Sequence, residues 1–253
     1  MRHFFTILSH EVRMLLVSPS TYVAAVAFLS LMGFFFTGIL EDYSKTPQDM
    51  SPASVFFLYY WFPVIFMVPL LTMKCLAEER RLGTIETLLT TPVTTTEVVL
   101  GKYAAAYLLY LVFWGSTSGF FYILKHFAGE AHLIDPGPIL GGYLFITVSG
   151  LFFVAIGVFA SSLSRNQAVA GMLCVVMLAA FIFGVQYLVH ASWLDREALG
   201  PLKDAVTYAD SFQHYEDFTR GIIDTREVLF YVSGTVIALI FSILSVEAKL
   251  LHS

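Results

Sequence analysis

The stretch from Lys74 to Lys102, KCLAEERRLGTIETLLTTPVTTTEVVLGK, is polar over most of its length and has a long apolar run on either side. A connection that only reversed the chain between two membrane helices would need a few residues of turn chemistry, far fewer than this capped, bent, half-apolar element contains. Its first part is charged, with Glu78, Glu79, Arg80 and Arg81 in a row. Gly83 and Thr84 then open a short helix on which Ile85, Leu88 and Leu89 recur at the i, i+3, i+4 spacing of one apolar face, while Glu86, Thr87 and Thr90 face elsewhere. Pro92 stops that helix, because proline lacks an amide hydrogen and pushes Thr91 out of the helical region. Thr94 followed by Glu97 is a capping box that opens the next helix. Spacing alone admits two readings: an element on which a partner docks, or an amphipathic helix lying among lipid headgroups.

The runs outside this stretch decide the class. The chain has 253 residues, 57 % hydrophobic and 13 % charged, with a mean hydropathy of +0.75, which is far too apolar for a soluble domain of that length. Each membrane span needs roughly 20 apolar residues to cross about 30 Å of hydrocarbon, so the length suits one bundle of six. The expected fold is an all-α integral membrane protein, a single transmembrane domain over 1–253 with six transmembrane helices. The formal charge of −5 and the lack of a basic patch give no reason to expect nucleic acid as a partner. Cys75 and Cys174 stand at a span end and in mid-span and read as packing residues.

Residues 1–18 put Phe4, Phe5, Leu8, Val12, Leu15 and Leu16 on one helical face, with Arg2, Thr6, Ser9, His10 and Arg13 largely opposite, as in a helix lying flat in the interface. Glu11 and Arg13 interrupt the run, so a cleaved signal is not expected. Spans are expected over the uncharged runs Ser20–Leu40, Val55–Met73, Tyr103–Leu124, 137–164, 168–190 and Val228–Val246. Pro63 and Pro69 predict a kinked second span. Gly115 with Gly119, and Gly157 with Ser161, are small-residue pairs that allow close helix approach. The segment 191–226 predicts two short amphipathic external helices, the second ended by Gly221, with Asp224 and Glu227 capping the last span.

Orientation follows from Lys and Arg in the short connections. Arg2, Arg13, Lys74, Arg80, Arg81, Lys102, Arg165 and Lys249 share the side of the N-terminus, against Lys45 and Lys125 in the short loops opposite. Both termini and the 74–102 segment are therefore expected in the cytoplasm, and 191–226 outside.

Little in the chain resembles catalytic chemistry. Gly101-Lys102 is followed by Tyr103 and has no glycine at the spacing of a phosphate-cradling loop, so no nucleotide site or other cofactor is expected on this polypeptide. The run from Gly115 to Gly119 has Thr117 where a nucleophile elbow wants serine, and no strand before it. His126, Glu130 and His132 match no helix-face ligand set, and no metal is expected. The uncharged runs carry no mid-span acid or base of the kind a proton-coupled carrier uses. Tyr59, Tyr60, Trp61 and Phe62, beside Pro63, are the candidate lining of a lipid or hydrophobic substrate path; most other aromatics suit lipid contact and interfacial belts.

The run Ala77-Glu78-Glu79-Arg80-Arg81-x-Gly83-Thr84-x-Glu86-x-Leu88-Leu89-x-x-Pro92, with Gly101-Lys102 after it, resembles the coupling-helix signature of type-2 ABC transporter permeases. Within that family the whole chain is most similar to the permease subunit of gliding-motility ABC transporters. The resemblance implies a bacterial inner-membrane exporter subunit, not itself an enzyme, whose segment around Glu78, Arg80, Arg81, Gly83, Thr84, Glu86, Leu88, Leu89 and Pro92 couples to a separate ABC ATPase subunit. ATP and Mg would sit on that partner, and a second permease half, identical or related, would complete the path within membrane lipid. Two other classes stay open at this point: an anchor or assembly subunit of a cell-envelope complex, and a channel or secondary carrier.

Overall fold

The structure is a computed structural model and describes residues 2–45, 51–83, 93–127, 136–195 and 199–250. Among these residues every regular element is helical: α1 (Arg2–Val17), α2 (Pro19–Lys45), α3 (Pro52–Leu58), α4 (Trp61–Thr72), α5 (Ala77–Leu82), α6 (Thr95–Ser116), α7 (Ser118–Phe127), α8 (Pro136–Leu163), α9 (Gln167–Val189), a 3-10 turn (Ser192–Asp195), α10 (Gly200–Tyr208), α11 (Ser211–Thr219) and α12 (Thr225–Leu250). Six stretches are long and apolar enough to cross a membrane, namely Pro19–Lys45, Trp61–Leu82, Thr95–His126, Pro136–Leu163, Gln167–Val189 and Thr225–Ala248. The chain is thus an all-α integral membrane protein.

Several of these helices outrun the uncharged segments that announce them. The third begins at Thr95, where Thr94 Oγ1 accepts from Glu97 N at 3.3 Å and Glu97 Oε2 accepts from Thr94 N at 3.4 Å, the reciprocal capping box expected there. The last begins at Thr225. Lys102 and Glu227 consequently lie inside long helices, near their ends.

Two of the apolar stretches are interrupted, each for a local reason. The run Val55–Met73 breaks at Tyr59 and Tyr60, between α3 and α4 and just before Pro63: the Tyr59 carbonyl, which a residue-63 amide would normally take, instead receives Phe62 N at 3.2 Å. The third breaks at Thr117, whose hydroxyl bonds back to Trp114 O at 2.6 Å, as Ser116 does to Phe113 O at 2.6 Å; such side-chain bonds compete with the helix ladder. Gly115 and Gly119 flank this break but face out of the bundle, and a Cβ at either would meet nothing within 4 Å. Among the described residues they bring no helix close.

The core is built around α8, which packs against α4, α6, α9, α11 and α12. Its small residues set how near those neighbours come: a Cβ on Gly157 would lie 2.3 Å from Thr72 Oγ1 of α4. Tyr103, Tyr107 and Tyr110 project from one side of α6 and donate to Leu151 O, Thr147 O and Ile146 O of α8 at 3.1, 2.8 and 3.2 Å. Their rings stack in sequence, with centroids 6.1 and 6.2 Å apart.

The segment before the last span folds as expected into two short helices. α11 is closed by Gly221 in the left-handed region (φ +81°), with Ile222 N donating to Asp217 O at 2.8 Å. It buries His214, Tyr215 and Phe218 over the end of the bundle, with the Phe212 ring tilted against Trp61 at a centroid distance of 4.4 Å and Tyr215 bonded to Ser54 O of α3. α1 is amphipathic as expected and lies along α6.

Candidate functional site

Of the residues proposed for coupling, Thr84, Glu86, Leu88, Leu89 and Pro92 lie outside the described residues. Glu78, Arg80 and Arg81 are on α5, and Gly83 closes that helix at φ +70° with its N–H on Glu79 O, a conformation open to glycine at no steric cost. Glu78 and Arg81 form an exposed pair 4.0 Å apart on the helix surface, of a kind that contributes about 0–1 kcal/mol. The weight of the site lies on the other side of α5, where the helix meets the bundle.

There the backbone is buried. Leu76 and Ala77 are both 0 % exposed, and their N–H groups donate to Ser161 Oγ of α8 at 3.1 Å each. The same hydroxyl donates to Met73 O at 3.3 Å, so one side chain spans the bend between α4 and α5. In return the Arg80 guanidinium donates to Ser162 O at the end of α8, a carbonyl that also accepts from Ser245 Oγ of α12 at 3.2 Å.

The residue before Arg80, Glu79, enters a buried ion cluster. Lys102 Nζ of α6 sits 2.7 Å from Glu79 Oε1 and 2.6 Å from Glu11 Oε1 of α1, with the lysine side chain only 5 % exposed. α5 is thereby tied to α1, α6 and α8 at once, immediately before the stretch that leads to Thr84. A six-residue helix has little stability of its own, so its position is dictated by these contacts.

The aromatic group beside Pro63 divides. Tyr60 is 0 % exposed, its hydroxyl 2.8 Å from Tyr110 OH and 2.9 Å from Ser149 Oγ, and Trp61 packs on Phe145 with centroids 5.7 Å apart. Tyr59 and Phe62 point outward, Tyr59 stacked on Phe35 at 4.5 Å. The four residues do not share one surface.

The sequence reading does not single out Glu11, Lys102 or Ser161 as members of this site, nor Glu227 as a buried acid. Glu11 had a signal: it falls on the packed side of α1 with Leu8, Val12 and Leu15, where an acid needs a partner. Glu227, in the first turn of α12, is 7 % exposed and lay just outside the uncharged run.

At the opposite end His214 is buried on α11, its Nδ1 3.1 Å from the Tyr231 hydroxyl. Burial holds this imidazole below its ordinary range, with the carboxylates of Asp210, Asp217 and Asp224 pulling the other way. The neutral form therefore suits the folded state. Its contribution is complete above the ordinary value of about 6.5 and is lost as the pH falls from there through the lowered folded value, because the unfolded chain then binds the extra proton. The thermal midpoint is expected to drop with acidification below that point in the wild type and to drop less in His214→Gln; equal slopes would remove His214 from the cause.

Compared with known proteins, residues 5–247 match the family model described as ABC-2 family transporter protein. No curated protein matches the chain.

Proposed function

The chain belongs to the ABC-2 family of transporter proteins, the membrane permease components of ABC transporters, and on that footing we propose that it couples ATP hydrolysis by a separate ATPase subunit to export of a substrate. The ATPase docks on residues 74–102, with Thr84 and Glu86 at the contact and Leu88 and Leu89 on its groove or back on the bundle. ATP and Mg belong to that partner, and a second permease half encloses the path. The short-loop excess of Lys and Arg puts this segment and both termini in the cytoplasm of a bacterial inner-membrane protein. The finer placement, in the gliding-motility branch and hence in a cell-envelope machine, rests on the sequence resemblance.

The observation that carries the reading is the anchorage of α5. A helix that merely floated among headgroups would gain nothing from a buried hydroxyl clamp and a buried ion cluster at its root, whereas an element that receives force has to be fixed to what it moves.

The test is copurification from native membranes with turnover of the bound ATPase. Glu86→Lys reverses a charge at the proposed contact, where a misplaced like charge costs several kcal/mol, and Gly83→Val forces a branched residue into φ +70°. Both variants are expected at normal membrane levels, with the bound ATPase reduced about tenfold or more and its stimulation lost. Full binding and stimulation in both would move the anchor or assembly role to first place. Because ATP is cytoplasmic, a bound ATPase also fixes the orientation.

A further inference from the structure

The first N–H groups of any helix lack intrahelical partners, and a Ser, Thr, Asp or Asn at the N-cap normally supplies an acceptor. At α5 the N-cap residue is Leu76, which has none. The acceptor comes instead from another span, as Ser161 Oγ takes the N–H groups of both Leu76 and Ala77 at 3.1 Å. The last carbonyls of α8 are orphans of the same kind, and one of them, Ser162 O, receives the Arg80 guanidinium of α5. Each helix thus caps the other. The exchange is possible because Gly157, one turn before Ser161, lets α4 lie against α8 with Thr72 in the space a Cβ would occupy.

We propose that Ser161 is a positioning residue that makes α5 and α8 move as one body, so that displacement of the polar segment is delivered to the central helix of the bundle. The inference rests on the coupling role proposed above. A tilt of α5 that left α8 behind would expose two buried donors and an arginine-bound carbonyl together, so the joint transmits movement in preference to yielding. The Ser245 hydroxyl on the same carbonyl extends the connection to α12.

Ser161→Ala removes the shared acceptor without changing any residue of the 74–102 stretch, and Arg80→Met, within that stretch, breaks the return half of the exchange. Ser242→Ala is the control, an equally buried serine whose hydroxyl donates to Ala238 O of its own helix. Spin labels on cysteines at Arg81 and Arg165 report the distance between the end of α5 and the end of α8, the native Cys75 and Cys174 being buried. The expected result is a broadened distance distribution in Ser161→Ala and Arg80→Met and an unchanged one in Ser242→Ala. With the ATPase that copurifies from native membranes, Ser161→Ala should bind it at the wild-type level yet stimulate its turnover about fivefold less or lower still. A wild-type distribution and full stimulation in Ser161→Ala would overturn the joint. If the wild type brings down no ATPase, the coupling role fails on its own, and the spin-label comparison still decides whether the two helices are locked.

Discussion

Replacing Lys102 by Met is expected to destabilise the protein by about 3–5 kcal/mol, the range for removing one partner of a buried ion cluster. The lysine is 5 % exposed and the Glu11 and Glu79 side chains 20 % and 18 %, so none of the three can turn fully to water when its partner is lost. Without the ammonium, two largely buried carboxylates from different helices face each other. Thermal or denaturant unfolding of the purified protein measures the loss. The cause is separable from lost packing: adding Glu11→Gln and Glu79→Gln to Lys102→Met removes the uncompensated charge and should recover most of the stability, since a buried pair replaced as a whole by neutral groups is often close to neutral. A Lys102→Met protein within about 1 kcal/mol of the wild type would show that the cluster does not hold α1, α5 and α6 together.

Gly141→Ala is expected to lift the cap that α11 forms over the end of the bundle. A Cβ there would lie 2.0 Å from Phe218 O and 2.8 Å from Phe218 C, both backbone atoms of α11, which cannot swing aside as a flexible side chain does. α11 has to shift bodily, at a cost of about 1–3 kcal/mol for such overpacking. Amide exchange across Ser211–Thr219 should accelerate, whereas the spans keep their protection. Gly119→Ala is the matched control, because nothing lies within 4 Å of its new methyl, and alanine in a helix is favoured over glycine by up to about 1 kcal/mol. Unchanged protection of α11 in Gly141→Ala would mean that the cap is not seated on α8 at this point.

The reach of the sequence was set by the range of the interactions involved. Spans were legible because exclusion of charge over a bilayer's width is written into consecutive residues, and the Thr94–Glu97 box and the Gly221 stop because caps act within a few positions. In the sequence Lys102 reads only as the end of the polar segment, since its partners come from positions 11 and 79 and no local pattern announces them. The kink of the second span was foreseen from its prolines, yet it falls ahead of Pro63, where the carbonyl left without a proline amide sits. Ser161 was foreseen as a small residue for close packing. That its hydroxyl caps a helix from another part of the chain could not be read, because the missing acceptor at Leu76 shows only once α5 has a beginning.

The tyrosine seam between α6 and α8 bears on what can set the bundle in motion. A membrane potential does about 2.3 kcal/mol of work per elementary charge per 100 mV, and only on charge that moves through the field. From Tyr103 to Tyr110 on one side and from Ile146 to Leu151 on the other there is no formal charge, and the contacts across the seam are made by neutral phenols on backbone carbonyls. The seam residues themselves offer the field no charge to act on; the nearest on α6 is Lys102, directly before Tyr103. The seam is electrically silent, so a membrane potential finds its hold on α6 not here but at Glu97 and Lys102, toward the start of that helix.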